Sequence, residues 1–535
     1  MTTTGSREFL AAGISGVLLW ASFFPLNLAV LAWVALVPFF ALVRSTARPR
    51  RIYIAAFVCG LVWFVPALQW LRVAHPMMHL TWIGLSLYCS GYLVAGLWLL
   101  RFLDRRIPNL MITAPIVWVV LEYVRGTVGG GFAWYLLGHS QHDFLPIVQI
   151  ADVTGAWGIT FAIVLMNASI FECLSGTATK VRLAIPVGLI ALMVGYGLVR
   201  MSHDPFPEGP QIALVQGNLS QDIRNARNDD DEEKSERAIE TMRLHHIQLS
   251  EKAAFLGPQP NLIVWPETSY PYPWIMIPDH QPKSIDDESW KNIGLNRAGI
   301  HDRLTEMSRA WQSDVLFGLN GRTITDDGRS IRWNTSLLFD RTGSPVDTYH
   351  KMHRVPFGEF VPFKESLPFM KWFTPYDYDY GIAAGDRFTR FPLTVGDRTY
   401  TFGVLICYED SNPTLAREYN NGNDPVDFLV NMSNDGWFKG TSEHEQHLVA
   451  SRFRAIETRR SLVRSVNMGI SAAIDGDGRI IALPAETWSK SKGIEGVVSV
   501  KVPIDDRTSI YAMTGDWLPW SCSVLLIVGL LWKRR

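Results

Sequence analysis

One cysteine of this 535-residue chain is placed where a nucleophile could act. Cys407 ends the apolar part of YTFGVLICYED (400 to 410) and is followed at once by Tyr408, Glu409 and Asp410. The apolar run predicts a buried strand, so the thiol would stand at a strand's carboxyl end, above the sheet. A thiol is mostly protonated near neutral pH and needs a neighbouring base or cation to react. A lone cysteine at such a position is more often part of a core. Whether Cys407 is catalytic therefore depends on the residues that lie near it.

Two charged residues could supply that chemistry. Glu267 ends the apolar run LIVWPE (262 to 267), where a strand needs no carboxylate, and this favours a general base. Lys351 lies in YHKMHRVPFGEFVP, which contains another carboxylate, Glu359. A lysine beside a thiol and a carboxylate can orient both and stabilise an oxyanion, where one positioned donor is worth roughly 3 kcal/mol. Taken alone, Lys351 and Glu359 would be read as a surface ion pair.

These residues must be positioned by residues 210 to 505, where short β-rich runs alternate with charged helical stretches. The predicted strands are 212 to 218, 262 to 267, 315 to 320, 335 to 340, 400 to 410, 428 to 434, 461 to 467, 471 to 476 and 496 to 502. The predicted helices are about 232 to 256, 297 to 312 and 443 to 459. This alternation indicates an α/β domain whose sheets are covered by helices. The closing strands follow one another without helices, which predicts an antiparallel or mixed portion.

Two loops of this region, 270 to 296 and 359 to 390, are long and rich in Pro, Tyr, Trp and Phe. Long loops in compact domains are commonly lids or binding loops. A surface loop that packs on its own core is an equally good interpretation. Trp372 and Phe373 are candidates for a lid that would keep water from Cys407.

The rest of the chain is dominated by apolar runs; overall it is 48% hydrophobic and 19% charged. A membrane-spanning helix needs roughly 20 apolar residues. The predicted spans are 8 to 24, 27 to 43, 52 to 74, 82 to 103, 111 to 125, 147 to 173, 182 to 200 and 517 to 532. The apolar character continues through Pro25, which favours a retained hairpin over a signal peptide. We therefore expect a membrane bundle in 1–200, a polar domain in 210–505 and a final spanning helix in 515–535.

Loop charges predict the orientation of these spans. Basic residues fall in alternate loops and at the end of the chain: Arg44, Arg48, Arg50, Arg51, Arg101, Arg105, Arg106, Lys180, Arg182, Lys533, Arg534 and Arg535. The other loops, 75 to 81 and 126 to 146, contain no Lys or Arg. The positive-inside rule places both termini in the cytoplasm and residues 210 to 505 outside it.

Three charged residues of the apolar runs, Arg72, Glu122 and Arg125, lie at the ends of predicted spans. Long charged side chains at span ends commonly reach toward the membrane surface, and we interpret all three in this way.

Several other kinds of site are disfavoured. The net charge of −1 and the lack of a basic aromatic patch give no sign of a nucleic-acid partner. The five cysteines form no CxxC pair, so neither a disulfide framework nor a zinc site is predicted.

His444 and His447 are three residues apart rather than four, and we interpret them as solvent-facing helix residues. Arg452, Arg454, Glu457, Arg459 and Arg460 are predicted to form ion pairs on the same helix. No metal or cofactor is expected.

The motifs together resemble a known family. Glu in WPE, Lys in HKMHRVPFGE and Cys in ICYED resemble, in that order, the Glu-Lys-Cys triad of the nitrilase (carbon–nitrogen hydrolase) superfamily. More narrowly, the chain is similar to bacterial apolipoprotein N-acyltransferases in IALVQGN, WPET, WNT, KMHRVPFGEFVP, ICYED, NMSNDGWF and RSVNMGIS. The resemblance covers nearly the whole chain. It implies a multi-span α-helical membrane bundle plus an α/β nitrilase-like αββα sandwich.

The resemblance implies roles for individual residues. Cys407 would accept an acyl group as a thioester, Glu267 would be the general base, and Lys351 would stabilise the oxyanion. Glu359 would be an additional essential carboxylate.

Three further residues match the family's active-site shell: Tyr408, Glu409 and Asn334. In one respect the chain departs from the family, which often has a functional tryptophan after IALVQGN. An ungapped alignment puts Asn225 there, so another aromatic would serve that role or the acyl chain would be handled differently.

The implied reaction is ping-pong transfer of a fatty acyl chain from a membrane phospholipid to the α-amino group of the N-terminal diacylglyceryl-cysteine of apolipoproteins. The implied location is the bacterial inner membrane, with the catalytic domain on the periplasmic side of the lipid bilayer. Two alternatives remain: a membrane-tethered amidase or nitrilase acting on a small amide, and a binding module with a degenerate nitrilase fold. The intact Glu267, Lys351 and Cys407 argue against the second.

Overall fold

The computed structural model describes residues 7–177, 179–227, 231–361, 366, 381–422 and 424–532. Two compact units account for these residues. The first unit contains the chain up to Asp204, Ile456–Thr458 and the region from Thr508 onward, and the second contains Pro205–Ala455 and Arg459–Arg507. Trp372, Phe373 and the basic tail 533 to 535 lie outside the described residues.

The α-helices are, in chain order, α1 Arg7–Ala21, α2 Val37–Phe40, α3 Pro49–Ala67, α4 Met78–Asp104, α5 Leu110–Thr127, α6 Leu145–Val148, α7 Ala151–Thr154, α8 Trp157–Leu174, α9 Ala184–Met201, α10 Gln221–Ala226, α11 Glu232–Phe255, α12 Asp287–Trp311, α13 Pro413–Glu418, α14 Glu443–Thr458, α15 Trp488–Ser491, α16 Ile510–Thr514 and α17 Trp517–Leu531. Five of those described, α3, α4, α5, α8 and α9, are long and apolar enough to cross a membrane. The predicted membrane bundle is therefore present in the first unit.

Three predicted spans are not continuous α-helices. The span 52 to 74 consists of α3 and a separate 3₁₀ helix, Gln69–Val73. Residues 27 to 43 form a short 3₁₀ turn, Ala29–Trp33, and then the single turn α2. Residues 147 to 173 are divided by Gly155, which has a φ of 64° and lies against the ring of Tyr511. A side chain at Gly155 would clash with that ring, so a break is built into the sequence here.

Polar side chains of neighbouring helices satisfy the interrupted backbone of residues 29 to 40. The Asn167 side-chain amide of α8 donates to the Ala32 carbonyl at 2.9 Å and accepts from the Leu36 amide at 2.8 Å. The Ser15 hydroxyl of α1 accepts from the Phe39 amide at 2.8 Å. Irregular backbone is tolerated at membrane depth only where the protein supplies such partners.

The interpretation of Glu122 and Arg125 as residues reaching for the membrane surface is wrong. Both side chains are buried inside the first unit. Glu122 accepts from the Leu137 amide at 2.8 Å, the Trp118 indole at 3.1 Å and the Thr160 hydroxyl at 2.9 Å. Arg125 donates to the carbonyls of residues 132, 134 and 135. Arg72, in contrast, is exposed.

The β-strands all belong to the second unit and are β1 Glu208–Gln216, β2 Leu262–Val264, β3 Trp274–Met276, β4 Asp314–Ile324, β5 Ser330–Phe339, β6 Pro345–His350, β7 Arg390–Val395, β8 Arg398–Ile406, β9 Phe428–Ser433, β10 Ser461–Val466, β11 Ala472–Ile474, β12 Ile480–Ala482 and β13 Gly496–Pro503. One sheet has the order β13-β1-β2-β4-β5-β6, with β3 also paired to β4. The other has the order β12-β11-β10-β9-β8-β7.

The nine predicted strands are present, while β3, β6, β7 and β12 were not predicted. Strands β1, β2 and β4 run parallel, as do β8, β9 and β10. The closing strands β10, β11 and β12 pair antiparallel, as does β13 with β1. The mixed character predicted for the end of the domain is confirmed.

Three apolar clusters hold this unit in four layers. One cluster joins the facing sides of the two sheets, as with Leu214 and Val264 from one sheet and Val404 and Val430 from the other. A second packs the outer face of the first sheet against α11 and α12. The third packs the outer face of the second sheet against α13 and α14. The predicted αββα sandwich is confirmed, and the parallel strands of each sheet direct their carboxyl ends to one edge.

Candidate active site

Glu267 follows β2 at the carboxyl edge of its sheet and is buried. Its Oε1 accepts from the Asn334 amide at 2.7 Å and from the Lys351 ammonium at 3.4 Å. Its Oε2 accepts from the backbone N–H of Asn434 at 3.0 Å. The carboxylate is thus held in one orientation by donors from three separate segments.

Lys351 comes directly after β6, and its ammonium lies between two carboxylates. Nζ is 2.7 Å from Oε1 of Glu359 and 3.4 Å from Oε1 of Glu267. The second oxygen of Glu359 accepts from the Val355 amide at 2.7 Å, so this carboxylate too is fixed. Asn334 approaches both acids, since its amide is also 3.4 Å from Glu359.

Burial alone would lower the pKa of Lys351, but the carboxylates of Glu359 and Glu267 outweigh it and raise that pKa well above its usual range. The side chain is therefore a cation near neutral pH. A fixed cation in a buried site is suited to stabilising a negative charge that appears during a reaction.

Cys407 directly follows β8 and is partly buried. Its φ of 53° is unusual for a residue with a side chain and marks a sharp turn at the strand's end. Burial and the carboxylate of Glu267 raise the pKa of the thiol to about 12, against the opposing effect of Lys351. The thiol therefore lies within electrostatic reach of both charged residues, and a base must remove its proton as it attacks.

Glu409 links the turn that contains Cys407 to the segment that contains Lys351 through hydrogen bonds. Its carboxylate accepts from the Tyr349 hydroxyl at 2.9 Å and 3.0 Å, and from the amides of Met352 at 2.6 Å and His353 at 2.9 Å. It also accepts from the Ile406 amide at 2.7 Å. Burial raises the pKa of Glu409 to about 7.

Tyr408 lies beside these hydrogen bonds of Glu409. Its ring stacks on the ring of His353, with centroids 5.4 Å apart and an angle of 17°. The structure thus brings together Glu267, Lys351, Glu359, Asn334, Tyr408 and Glu409 around the strand end that carries Cys407.

Asn225 lies on α10, where its side-chain oxygen accepts from Gln221 at 2.9 Å. Gln221 in turn accepts from the side-chain amide of Asn434 at 3.1 Å. The position aligned with the family's tryptophan is therefore linked to the Glu267 side of the site through two polar side chains.

Two residues of this site were missed in the sequence. Asn434 directs its backbone N–H at Glu267, and Arg224 donates to the carbonyl oxygens of Glu267 and Thr268 at 3.0 Å. A signal existed for Asn434, because it follows the buried strand β9 in the way that Cys407 follows β8. Nothing in the sequence around Arg224 pointed to Glu267.

The interpretation of His444 and His447 as solvent-facing is wrong, since both side chains are buried within the second unit. Among the described residues, Asp435, Glu443 and His447 converge closely enough to hold a metal ion. However, Arg464 already lies 2.7 Å from Asp435, so a cation occupies part of this cluster. The predicted ion pairing of the neighbouring arginines extends beyond the helix, because Arg459, just past the end of α14, pairs with Asp477 at 3.0 Å.

Known proteins match both units of the chain. Residues 15–169 match the model of the apolipoprotein N-acyltransferase N-terminal domain, and residues 211–510 match the carbon–nitrogen hydrolase model. The apolipoprotein N-acyltransferase of Geobacter metallireducens is 30% identical over 99% of this chain and 96% of its own length. Those of Rhodopirellula baltica and Bradyrhizobium diazoefficiens are each 28% identical, over 98% and 100% of this chain and 96% of each relative. The chain belongs to the apolipoprotein N-acyltransferase family.

Proposed function

We propose that this membrane enzyme transfers a fatty acyl chain from a phospholipid, through a thioester on Cys407, to the α-amino group of the N-terminal diacylglyceryl-cysteine of apolipoproteins. The observation that carries the proposal is the buried Lys351 ammonium, which is held between Glu267 and Glu359 within electrostatic reach of the Cys407 thiol. A base, a cation and a nucleophile in one buried site are what two successive acyl transfers need. No cofactor takes part in the proposed reaction.

In the first half-reaction, Glu267 takes the proton of the Cys407 thiol as the sulfur attacks the ester carbonyl carbon of the phospholipid. A C–S bond forms, and the carbonyl oxygen becomes an oxyanion that the Lys351 ammonium stabilises. The intermediate collapses with breakage of the ester C–O bond. The departing lysophospholipid alkoxide takes the proton from Glu267, which leaves an acyl-thioester on Cys407.

In the second half-reaction, the neutral amine of the acceptor attacks the thioester carbonyl carbon. Glu267 takes a proton from the attacking nitrogen, a C–N bond forms and the C–S bond breaks. The thiolate of Cys407 then recovers the proton from Glu267. The Asn334 side-chain oxygen is buried and has no hydrogen-bond partner among the described residues, so it can accept an N–H from the amine.

Glu359, Asn334, Tyr408 and Glu409 support these steps in different ways. Glu359 holds the Lys351 ammonium at 2.7 Å and keeps it charged. Glu409 maintains the distance between the lysine segment and the cysteine turn through its backbone hydrogen bonds. The ring of Tyr408 covers His353 next to the nucleophile.

The loop charges support a proposed location. We propose that residues 1–200 and 515–535 span the bacterial inner membrane and that 210–505 form the catalytic domain on its periplasmic side. The basic loops at 44 to 51, 101 to 106 and 180 to 182 would then lie in the cytoplasm. A site outside the cytoplasm can meet phospholipids of the outer leaflet and lipoproteins that have already been exported.

A phospholipid with separate labels on its acyl chain and its headgroup tests this function. Purified enzyme without acceptor should retain the acyl label alone, in an amount stoichiometric with the protein. A diacylglyceryl-cysteine peptide added next should remove that label as an N-acyl peptide. Cys407→Ala should retain none. An enzyme that takes no acyl label but hydrolyses a small aliphatic amide would instead be a membrane-tethered amidase.

A further inference from the structure

A cluster of buried charged side chains lies directly behind Cys407, and the proposed reaction leaves it without a role. Its members are all fully or almost fully buried: Asp410, Asp435, Glu443, His447 and Arg464. Burying so many charges is costly unless each finds a partner, so the arrangement of their contacts indicates what the cluster does.

Arg464 and His447 each bridge the same two acids. Arg464 is 3.0 Å from Asp410 and 2.7 Å from Asp435. His447 contacts Asp410 through Nε2 at 2.9 Å and Asp435 through Nδ1 at 3.1 Å. Because both ring nitrogens face carboxylate oxygens, both must donate, and the ring is an imidazolium.

Electrostatics agree with this protonation. Burial and the charge of Arg464 would lower the pKa of His447, but Asp410 and Asp435 outweigh them and hold it well above its usual range. Glu443, 3.4 Å from His447, has a pKa that burial raises to about 8, so it is mostly neutral at pH 7. Within the cluster, the acids Asp410 and Asp435 are thus balanced by the cations Arg464 and His447.

Among the described residues, the cluster reaches the nucleophile at the carbonyl oxygen of Cys407. The Nε2 of His447 is 3.3 Å from that oxygen, and the side-chain amide of Asn431 donates to it at 3.2 Å. Arg464 fixes Asn431 by donating to its side-chain oxygen at 2.7 Å. The carbonyl is therefore held by two donors that the buried charges keep in place.

Fixing this oxygen also fixes the amide that follows it. The peptide bond between Cys407 and Tyr408 is planar, so its N–H points away from its C=O. With the oxygen held inward, the N–H of Tyr408 is directed to the opposite side of the turn. That turn has the unusual φ of 53° at Cys407, a conformation that persists only where surrounding contacts impose it.

We propose that His447 is a positioning residue: together with Asn431 it holds the Cys407 carbonyl so that the Tyr408 N–H faces the oxyanion of the acyl-transfer intermediate. This inference rests on the proposed acyl transfer at Cys407. The Tyr408 N–H acts together with Lys351, and both donate to the same developing charge. Loss of the His447 contact lets the turn relax, which slows the chemical step but leaves phospholipid binding intact.

Two substitutions at His447 separate the contact with Cys407 from the rest of the cluster. In His447→Gln the amide nitrogen takes the place of Nε2 and can still donate to the Cys407 carbonyl. In His447→Asn the shorter side chain puts its nitrogen near the place of Nδ1, facing Asp435. Both variants carry a neutral amide, so their effects on the charge balance of the cluster are matched.

The measurement is single-turnover acylation of Cys407 by a labelled phospholipid, at several lipid concentrations, with each variant checked for folding by its thermal unfolding midpoint in detergent. We expect His447→Asn to acylate at roughly one hundredth of the wild-type maximal rate, with unchanged half-saturation. His447→Gln should regain at least tenfold over His447→Asn. His444→Gln is the control, because this buried residue of the same helix contacts the Asp435 carbonyl at 3.2 Å; its rate should stay near wild type.

Equal rates for the Gln and Asn variants, or a change confined to half-saturation, would overturn the positioning role. Losses that simply follow the unfolding midpoints would do the same. Each of these outcomes requires that the wild-type enzyme is acylated at Cys407. If the wild type carries no acyl group at all, the proposed function fails first, so the two failures are distinguishable.

Discussion

Both units of this protein bury a carboxylate and a cation, but the two units provide these groups with different hydrogen-bond and ion-pair partners. In the membrane unit, Glu122 and Arg125 form hydrogen bonds with main-chain groups and neutral side chains, and these bonds join α5 to α8 and to the segment 132 to 137. In the catalytic unit, Lys351 turns to two other charged groups, Glu267 and Glu359, and a thiol lies within their electrostatic reach.

This difference separates charges that maintain the structure from charges that take part in the reaction. Charges that cap main-chain groups maintain an irregular backbone, and their removal should affect folding. Charges that face one another around a nucleophile can exchange a proton or stabilise a new charge, and their removal should affect rate. Four substitutions test this division.

The largest effect is expected for Glu267→Gln, which keeps the size and hydrogen-bonding oxygen of the side chain but removes the base. Acylation of Cys407 should fall by roughly 10³- to 10⁴-fold, near the upper end of what one acid–base group contributes. The rate of acyl transfer from labelled phospholipid gives the measurement, with the thermal unfolding midpoint as a check on folding. A loss below tenfold would remove Glu267 from the reaction.

Lys351→Met comes next, because it removes the cation that faces the oxyanion. We expect the acylation rate to fall by about 10²- to 10³-fold. The two carboxylates left facing each other should also lower stability, so the rate is measured per folded enzyme after gel filtration. A variant that retains more than a tenth of the wild-type rate would show that the charge is structural, as in the membrane unit.

Glu122→Leu should show the opposite behaviour. The Leu137 amide, the Trp118 indole and the Thr160 hydroxyl lose their acceptor, at about 1–3 kcal/mol for each buried group left unsatisfied. The unfolding midpoint in detergent should drop while the acylation rate per folded molecule is unchanged. Glu122→Gln, which keeps an acceptor oxygen, is the matched control and should lose less. A normal midpoint with a slow rate would show that Glu122 serves the reaction rather than the stability of the membrane unit.

The smallest effect is expected for the rate at which the Cys407 thiol is alkylated at different pH values. With the pKa of Cys407 raised to about 12, iodoacetamide alkylation of the wild type should rise about tenfold per pH unit from pH 7 to 9, without a plateau. Glu267→Gln removes a negative charge that raises this pKa, whereas Lys351 still lowers it. Alkylation at pH 8 should therefore be faster in the variant, by about tenfold, although its acyl transfer is slower.

Peptide mass spectrometry assigns the alkylation to Cys407 rather than to Cys59 or Cys89. A variant thiol that is alkylated more slowly than the wild type would mean that Glu267 does not act on it electrostatically.

The features of this molecule that could be predicted from the sequence are those that depend on local patterns of residues. Apolar runs of sufficient length gave the long helices, and alternation of strands with helices gave the αββα sandwich. Glu267 and Cys407 were predicted to be functional because a polar residue directly after a buried strand needs an explanation. Their proximity follows from the parallel strands that carry them to one edge of each sheet.

What sequence could not predict depends on partners far along the chain. The break in residues 27 to 43 is compensated by Asn167, whose side chain takes over backbone hydrogen bonds. The helix of His447 has the charged composition of a solvated face, but Asp410, Asp435 and Arg464 cover it inside the domain. Local hydrophobicity indicates how polar a face is, and not which distant charges will bury it.

In the proposed reaction the acyl group is carried by the sulfur of Cys407. Intact and peptide mass spectrometry of the purified enzyme, after incubation with phospholipid alone, measures this directly. We predict one added fatty acyl chain on the peptide that contains Cys407. Neutral hydroxylamine should remove it, as it removes a thioester, and Cys407→Ala should lack it. An active enzyme without this adduct, or with the acyl chain on another residue, would contradict it.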